Sequence, residues 1–364
     1  MPATMHDVAK LAGVSIKTVS NVLSGYPYVR DSTRAKVLAA VDELGYRMNI
    51  SARNLRAGRT GIIALAVPEL SLPYFAELAA EVIRAAEEKF WTVLVEQTSA
   101  LRDREIAVLS GSRRHLIDGL ILAPLAVGSE DIGQRQADFP VVLLGERTFD
   151  GPVDNVTMSN VEAARAATQH LIDIGRRRIA VIGAHPGEGD GTPILRLEGY
   201  LAALRDAGIE PDSELIAPAG LWHRAEGAEA MGRLLDSGSP IDAVFCFNDT
   251  LALGALHVLL RRGVRVPDDI AIIGFDNIEE ARFSMPPLTS VDPGRDQIAR
   301  TAVELLTDQI TARRRRDGSV DGEKPGGRAH RQVVADFSIK VRESTVGSAA
   351  ADWSTAQRTA ESTA

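Results

Sequence analysis

From Gly61 onward, short apolar runs alternate with longer segments of helical period, and this alternation limits the chain more than any other feature. Residues 62–67, 92–95, 119–122 and 141–144 read as strands, with helices at 74–89 and 102–114 between them. A second set begins near Val156. It places helices at 161–174, 195–207, 224–235 and 250–262, and strands at 179–182, 215–216, 243–247 and 270–273. Strands that are apolar on both faces and joined by helical crossovers build parallel sheets covered on two sides. Two such sets imply an α/β core of two doubly wound subdomains within about 61–344. The chain is expected to run through the first (61–158), pass to the second (159–289) and return to the first (290–322) with a helix at 297–310. It then crosses again for 323–344, where 333–337 and 339–342 read as strands. A length of 364 residues leaves room for one further domain.

That domain is the N-terminal end, and charge sets it apart. Residues 1–60 carry a net +5 and the remaining 304 a net −13. A basic head on an acidic body points to a polyanionic partner for the head alone. The single cysteine, Cys246, cannot form an internal disulfide and fits a reducing compartment. No basic stretch leads into an apolar one at the start, and no apolar run approaches the roughly 20 residues of a membrane span. A soluble, cytoplasmic protein is expected.

Within the head the spacing predicts a helix-turn-helix over 1–45. Thr4 suits an N-cap for a helix with Val8, Ala9 and Leu11 on one side. Gly13 permits the positive φ of a sharp turn, and Ser15 is a second N-cap, followed by Val19, Val22 and Leu23. Ile16, Lys17, Ser20 and Asn21 then share the outer face of the second helix, where Lys can donate to guanine and Asn can pair with adenine edges. Ser15 and Thr18 suit phosphate contacts, and Thr4 is counted with the DNA-binding residues. A third helix, about 32–44, is expected to be capped by Asp31, with Val37, Leu38, Val41 and Leu44 closing a small core. An αα-hairpin packed on the body is the alternative reading. Residues 46–60 read as a basic linker.

The segments Asp7-Val-Ala-Lys-Leu-Ala-Gly-Val-Ser15, Thr18-Val-Ser20, Leu44-Gly-Tyr46 and Ala52-Arg-Asn-Leu55 resemble the head and hinge of the lactose/galactose-repressor (LacI-type) family. Asp118-Gly-Leu-Ile121, Arg196-x-x-Gly-Tyr200, Phe247-Asn-Asp249, Ile273-Gly-Phe-Asp276, Pro286-Pro-Leu-Thr289 and Val341-Arg-Glu-Ser344 resemble landmarks of its periplasmic-binding-protein-like core. The resemblance implies a hinge that becomes helical on double-stranded operator DNA. Asn49, Ala52 and Arg53 belong to this contact, and Leu55 wedges into a minor-groove step. The sequence departs from the usual pattern at Asn21, Met48 and Ser159.

Ligands of open parallel sheets bind beyond the C-terminal strand ends. Tyr74, Phe75, Arg196, Trp222, Asn248 and Asp276 fall there, and the resemblance gives Arg196, Asn248, Asp276 and Trp222 effector contacts. Each has a plainer reading: Asn248 or Asp249 as a helix cap, Trp222 as core, Asp276 as a turn residue. As a set, an aromatic plate, an Arg fork and acid or amide acceptors suit a polyhydroxylated ligand. No P-loop, HExxH, CxxC or GxSxG occurs, so neither cofactor nor metal is expected. The reading is a homodimeric, effector-controlled repressor on a near-palindromic operator. The competing classes are a transport-type solute-binding protein, a regulator with a nucleobase corepressor, and a doubly wound enzyme. Residues 313–332 read as a solvated insertion, and 345–364 as a disordered tail.

Overall fold

The computed structural model describes residues 3–23, 26, 28–46, 60–111, 115–133, 139–146, 153–185, 191–317 and 330–347. The chain divides into two compact units, Met1–Gly61 and Ile62–Ala364.

The first unit holds helices α1 (Met5–Ala12), α2 (Ile16–Leu23) and α3 (Asp31–Glu43). Thr4 caps α1 through a reciprocal box: Asp7 N donates to Thr4 Oγ1 at 3.3 Å, and Thr4 N donates to Asp7 Oδ2 at 2.9 Å. The Thr4 hydroxyl, donating to Asp7 Oδ2 at 2.7 Å, and then the Thr4 amide hold the exposed Asp7 carboxyl below its ordinary range. Gly13 turns the chain at φ +65°, and Ser15 Oγ accepts from Thr18 N at 3.1 Å, capping α2. Val8, Ala9, Val19, Val22, Val37 and Ala40 form the core. Two expectations fail by one helical position. Leu11 and Leu38 are 46% and 45% exposed, because the buried stripes run through Met5, Val8, Ala9 and Ala12 on α1, and Val37, Ala40, Val41 and Leu44 on α3. Asp31 is also not a cap. Arg30 holds the cap position without a side-chain bond, and Asp31 supplies a negative charge to the first turn instead.

The second unit contains two six-stranded sheets. The first follows the order β11-β5-β4-β3-β1-β2, with β1 (Ile62–Val67), β2 (Thr92–Gln97), β3 (Gly119–Leu122), β4 (Val141–Leu144), β5 (Asp154–Met158) and β11 (Gln332–Ala335), all parallel. Helices α4 (Pro73–Glu88) and α12 (Arg295–Asp317) cover one face, and α5 (Arg102–Leu109) with α6 (Ser129–Gly133) the other. The second sheet follows β12-β10-β9-β8-β6-β7, comprising β6 (Ile179–Ala184), β7 (Ile216–Pro218), β8 (Ala243–Cys246), β9 (Ala271–Phe275), β10 (Thr289–Asp292) and β12 (Ser338–Lys340). Only β12 runs antiparallel, against β10. Helices α7 (Asn160–Asp173) and α8 (Thr192–Asp206) pack on one face, α9 (Arg224–Asp236) and α10 (Asp249–Arg261) on the other. Short helices α11 (Glu279–Phe283) and α13 (Glu343–Val346) complete the unit.

Four boundary expectations need correction. β10 belongs to the second sheet, so the return to the first subdomain comes after Asp292. β11 pairs with β5 in the first sheet, so the last crossing falls between Ala335 and Ser338, not after 322. Arg313 continues α12 rather than opening a loop. Thr345, expected in the tail, is instead buried, and 348–364 lie outside the described residues.

Helices α9 and α10 cross with backbones nearly touching, because Gly227 faces Leu251 and Gly254 faces Arg224. A Cβ at Gly254 would sit inside contact distance of the Arg224 carbonyl, which is rigid backbone. Gly254→Ala should therefore lower stability by about 1–3 kcal/mol through overpacking. A lower urea midpoint would show it, while an unchanged midpoint would mean that the helices can part at no cost.

Candidate functional site

The C-terminal strand ends of both sheets border one cavity of about 390 Å³. All six residues expected from the sequence line it. Tyr74 and Phe75 open α4 after β1; Arg196 lies in α8 after β6; Trp222 follows β7, Asn248 follows β8 and Asp276 follows β9.

Arg196 is the most heavily committed side chain. It is 2% exposed. Its Nε donates to Asn160 Oδ1 at 2.7 Å and its Nη1 to the Phe247 carbonyl. The guanidinium carbon lies 3.4 Å from the Phe275 ring centroid and 5.4 Å from that of Trp222. Asp276 Oδ1 is 3.9 Å from Nη2. Burial draws the Arg196 pKa down, against the pull of Asp276 and Glu146.

Trp222 takes a positive φ of 60°. Its Nε1 donates to Gly183 O at 3.0 Å, and its half-buried ring meets Phe247 and His185 edge-on. Asn248 keeps both of its readings. Oδ1 caps α10 by accepting from Leu251 N at 2.7 Å, while Nδ2 donates to Trp222 O at 3.2 Å. Neighbouring Asp249 is wholly buried and structural, accepting from Ser290 Oγ at 2.6 Å and Ile278 N at 3.0 Å.

Asp276 is buried, and its carboxyl is pushed up to about 7 from an ordinary 3.8. Burial drives the shift; Arg196 and Arg295 oppose it and Glu77 adds to it. Between these values the folded chain holds a proton that the unfolded chain has lost. The contribution of Asp276 to stability must therefore fall as pH rises from about 4 to about 7. In urea titrations across that window, Asp276→Asn should flatten the decline, and an equally steep decline would show that Asp276 ionises normally.

Sequence reasoning missed Glu146, which also lines the cavity. It accepts from Thr157 Oγ1 at 2.9 Å and Met158 N at 3.1 Å, and burial raises its pKa. The signal was present, since Glu146 stands just past the apolar run of β4, where the strand-end rule applies. It also missed the contacts that span the two subdomains. Glu69 Oε2 lies 3.1 Å from His223 Nε2, Glu77 Oε1 accepts from Glu279 N at 2.8 Å, and Arg295 pairs with Glu77 while donating to Asp276 O. Nothing local in the sequence announces such pairs.

On the head, Ile16, Lys17 and Ser20 are exposed on the outer face of α2, and Thr18 and Asn21 are half-buried. Thr4 and Ser15 are exposed, but each has a hydroxyl already engaged in a cap. Asn49, Ala52, Arg53 and Leu55 lie outside the described residues. Among the described residues, no helix is long and apolar enough to cross a membrane, and no group of three or more His, Cys, Asp or Glu could hold a metal ion.

Residues 4–49 match the lacI family of bacterial regulatory proteins, and residues 168–345 match a periplasmic binding protein-like domain. The ribose operon repressor of Escherichia coli K12 is 36% identical over 313 residues, which is 85% of this chain and 93% of that protein. The chain belongs to the LacI family. As a LacI-family protein it is a DNA-binding transcriptional regulator. The chain resembles the structure of a LacI-family transcriptional regulator from Sanguibacter keddieii, at 48% identity and a TM-score of 0.71, covering 80% of this chain and all of that one. The lac repressor dimer bound to operator and an anti-inducer covers 95% of this chain and 99% of its own, at 25% identity and a TM-score of 0.72.

Proposed function

We propose that this LacI-family regulator is a cytoplasmic, homodimeric repressor whose hold on a near-palindromic operator is set by a carbohydrate in the cavity between its two subdomains. One observation carries the effector assignment: the aromatic plate of Trp222, the fork of Arg196 and the acceptors of Asn248 and Asp276 border the same cavity. Sugars present C–H faces for an aromatic ring and hydroxyls that donate to carboxylates. The likeness to a ribose operon repressor supports the same class. A thermal-shift screen of the purified protein against sugars, polyols, sugar acids and nucleosides tests it. Stabilisation by a sugar, together with a change in operator affinity, is expected. Stabilisation by nucleosides alone would replace the carbohydrate with a nucleobase, and turnover of any compound would make the cavity an active site.

The head would read DNA through the outer face of α2, from Ile16, Lys17, Ser20 and Asn21, with phosphate contacts from Ser15 and Thr18 and a further contact from Thr4. Asn49, Ala52, Arg53 and Leu55 of the linker would extend the interface into the minor groove. Two heads in a dimer would meet half-sites about one helical turn apart. Lys17→Ala or Asn21→Ala should weaken specific binding by roughly 1–3 kcal/mol. Competition against scrambled duplex measures this, and equal losses on both duplexes would refute base reading.

A further inference from the structure

The Val341–Ser344 motif has no part in the cavity, yet its Arg342 reaches the turn that presents Asp276 and its Ser344 ties into the two strands beside that turn. That turn is strained. Asp276 has φ 108° and Asn277 φ 50°, a region that L-residues other than Gly seldom occupy. Something must hold it, and the chain segment after β12 does so. Arg342, half-buried and outside the cavity lining, donates from Nη2 to Asn277 Oδ1 at 2.6 Å and from Nη1 to Leu288 O at 2.6 Å. Its own amide donates to Thr289 Oγ1 at 2.8 Å. Asn277 is gripped from the other side as well, because its Nδ2 donates to Asp292 Oδ2 at 3.1 Å. Ser344 Oγ donates to Ile272 O at 2.6 Å and accepts from Thr289 N at 2.8 Å, tying the same segment to β9 and β10. The motif therefore braces both strands that flank the turn and the turn itself.

We propose that Arg342 is a positioning residue for the effector cavity: by fixing the Asn277 side chain it keeps the Asp276 carboxyl facing Arg196. The proposal rests on Asp276 being an effector ligand, as read above. The bond matters because a guanidinium donating to a side-chain amide combines charge with fixed direction. A lysine at this position could donate to Asn277 or to Leu288 O, but not in the same paired geometry.

The turn carries its own reporters. Three successive amides are bonded: Asp276 N to Val291 O at 2.8 Å, Asn277 N to Ser290 Oγ at 3.0 Å, and Ile278 N to Asp249 Oδ2 at 3.0 Å. Hydrogen exchange on the full-length protein, read at residues 276–278 and at β6 and β8, tests the proposal. In Arg342→Ala the turn amides should exchange at least about tenfold faster while β6 and β8 keep their rates. Arg342→Lys should fall between Ala and the parent. Asn277→Gly, which tolerates the left-handed backbone but removes the acceptor, should reproduce the loss. Adding Arg342→Ala to it should then change little. If Arg342→Ala is too unstable to study, Asn277→Gly alone decides the matter.

Unchanged turn amides would overturn the proposal. So would a uniform rise across the second sheet, which marks a merely structural role, or a lysine variant no better than alanine. Asp276→Asn in the thermal-shift screen tests the effector reading separately. An unaltered sugar profile would remove Asp276 from the cavity's function, while the exchange rates would still report whether Arg342 holds the turn.

Discussion

Arg196→Met should destabilise the core by about 3–5 kcal/mol at pH 8 and by clearly less at pH 6. Methionine fills much of the arginine stem's volume, so the loss is chiefly electrostatic and hydrogen-bonded. Asn160 Oδ1 loses its donor, and so does the Phe247 carbonyl. Buried acceptors without partners carry their full desolvation penalty. Asp276 is left with Arg295 as its remaining named cation, so its carboxyl must move further above about 7. A native carboxyl that holds its proton more tightly than the unfolded one weakens the fold progressively as pH rises. At pH 6 Asp276 in the variant is protonated and the lost ion pair hardly matters, whereas at pH 8 the variant must either bury a carboxylate beside Arg295 alone or keep a proton that the unfolded chain releases, and both weaken the fold. Urea midpoints at the two pH values give the comparison. Adding Asp276→Asn should recover much of the deficit at pH 8. Equal losses at both pH values would mean that Asp276 is not what Arg196 balances.

The second large effect concerns ligand response. Trp222→Ala should raise the effector concentration needed for half-maximal change in operator binding by about tenfold or more, the size of one lost aromatic contact of about 1.4 kcal/mol. Operator affinity without effector should stay within about twofold, since Trp222 lies in the unit from Ile62 to Ala364 while the groove-reading candidates lie in the other. Trp222→Phe should fall between, retaining a ring but losing the Nε1 bond to Gly183 O that sets its tilt. A dose curve that coincides with the parent's would remove Trp222 from the site.

Much of this arrangement was legible in the sequence, for identifiable reasons. Uninterrupted apolar runs such as Ile62–Val67 and Ala243–Cys246 are too short for buried helices and alternate with longer helical segments, which marks them as strands buried on both faces. Once they are placed, the rule that ligands gather past the carboxyl ends of parallel strands selects Tyr74, Arg196, Trp222, Asn248 and Asp276 without reference to side-chain packing. Glu146 answers to the same rule and was overlooked. The sheet assignment of β11 is different in kind. Gln332–Ala335 and Ser338–Lys340 are edge strands of four and three residues, and an apolar pattern that short does not say which sheet edge accepts it. Leu11 and Leu38 failed because helix period fixes a stripe only to within one residue, and partners from the other helices choose its centre. The subdomain-spanning contacts of Glu69 with His223 and of Glu77 with Glu279 join residues more than a hundred positions apart, which no local period encodes.

The polypeptide passes between the two sheets three times, after β5, after β10 and between β11 and β12. Neither sheet with its helices is thus a continuous stretch of gene. A single recombination near Gly61 could graft a new head onto this body, whereas swapping one half of the body would need three simultaneous breakpoints. Heads and bodies can diversify by shuffling; the two halves around the cavity are bound to change together, one substitution at a time.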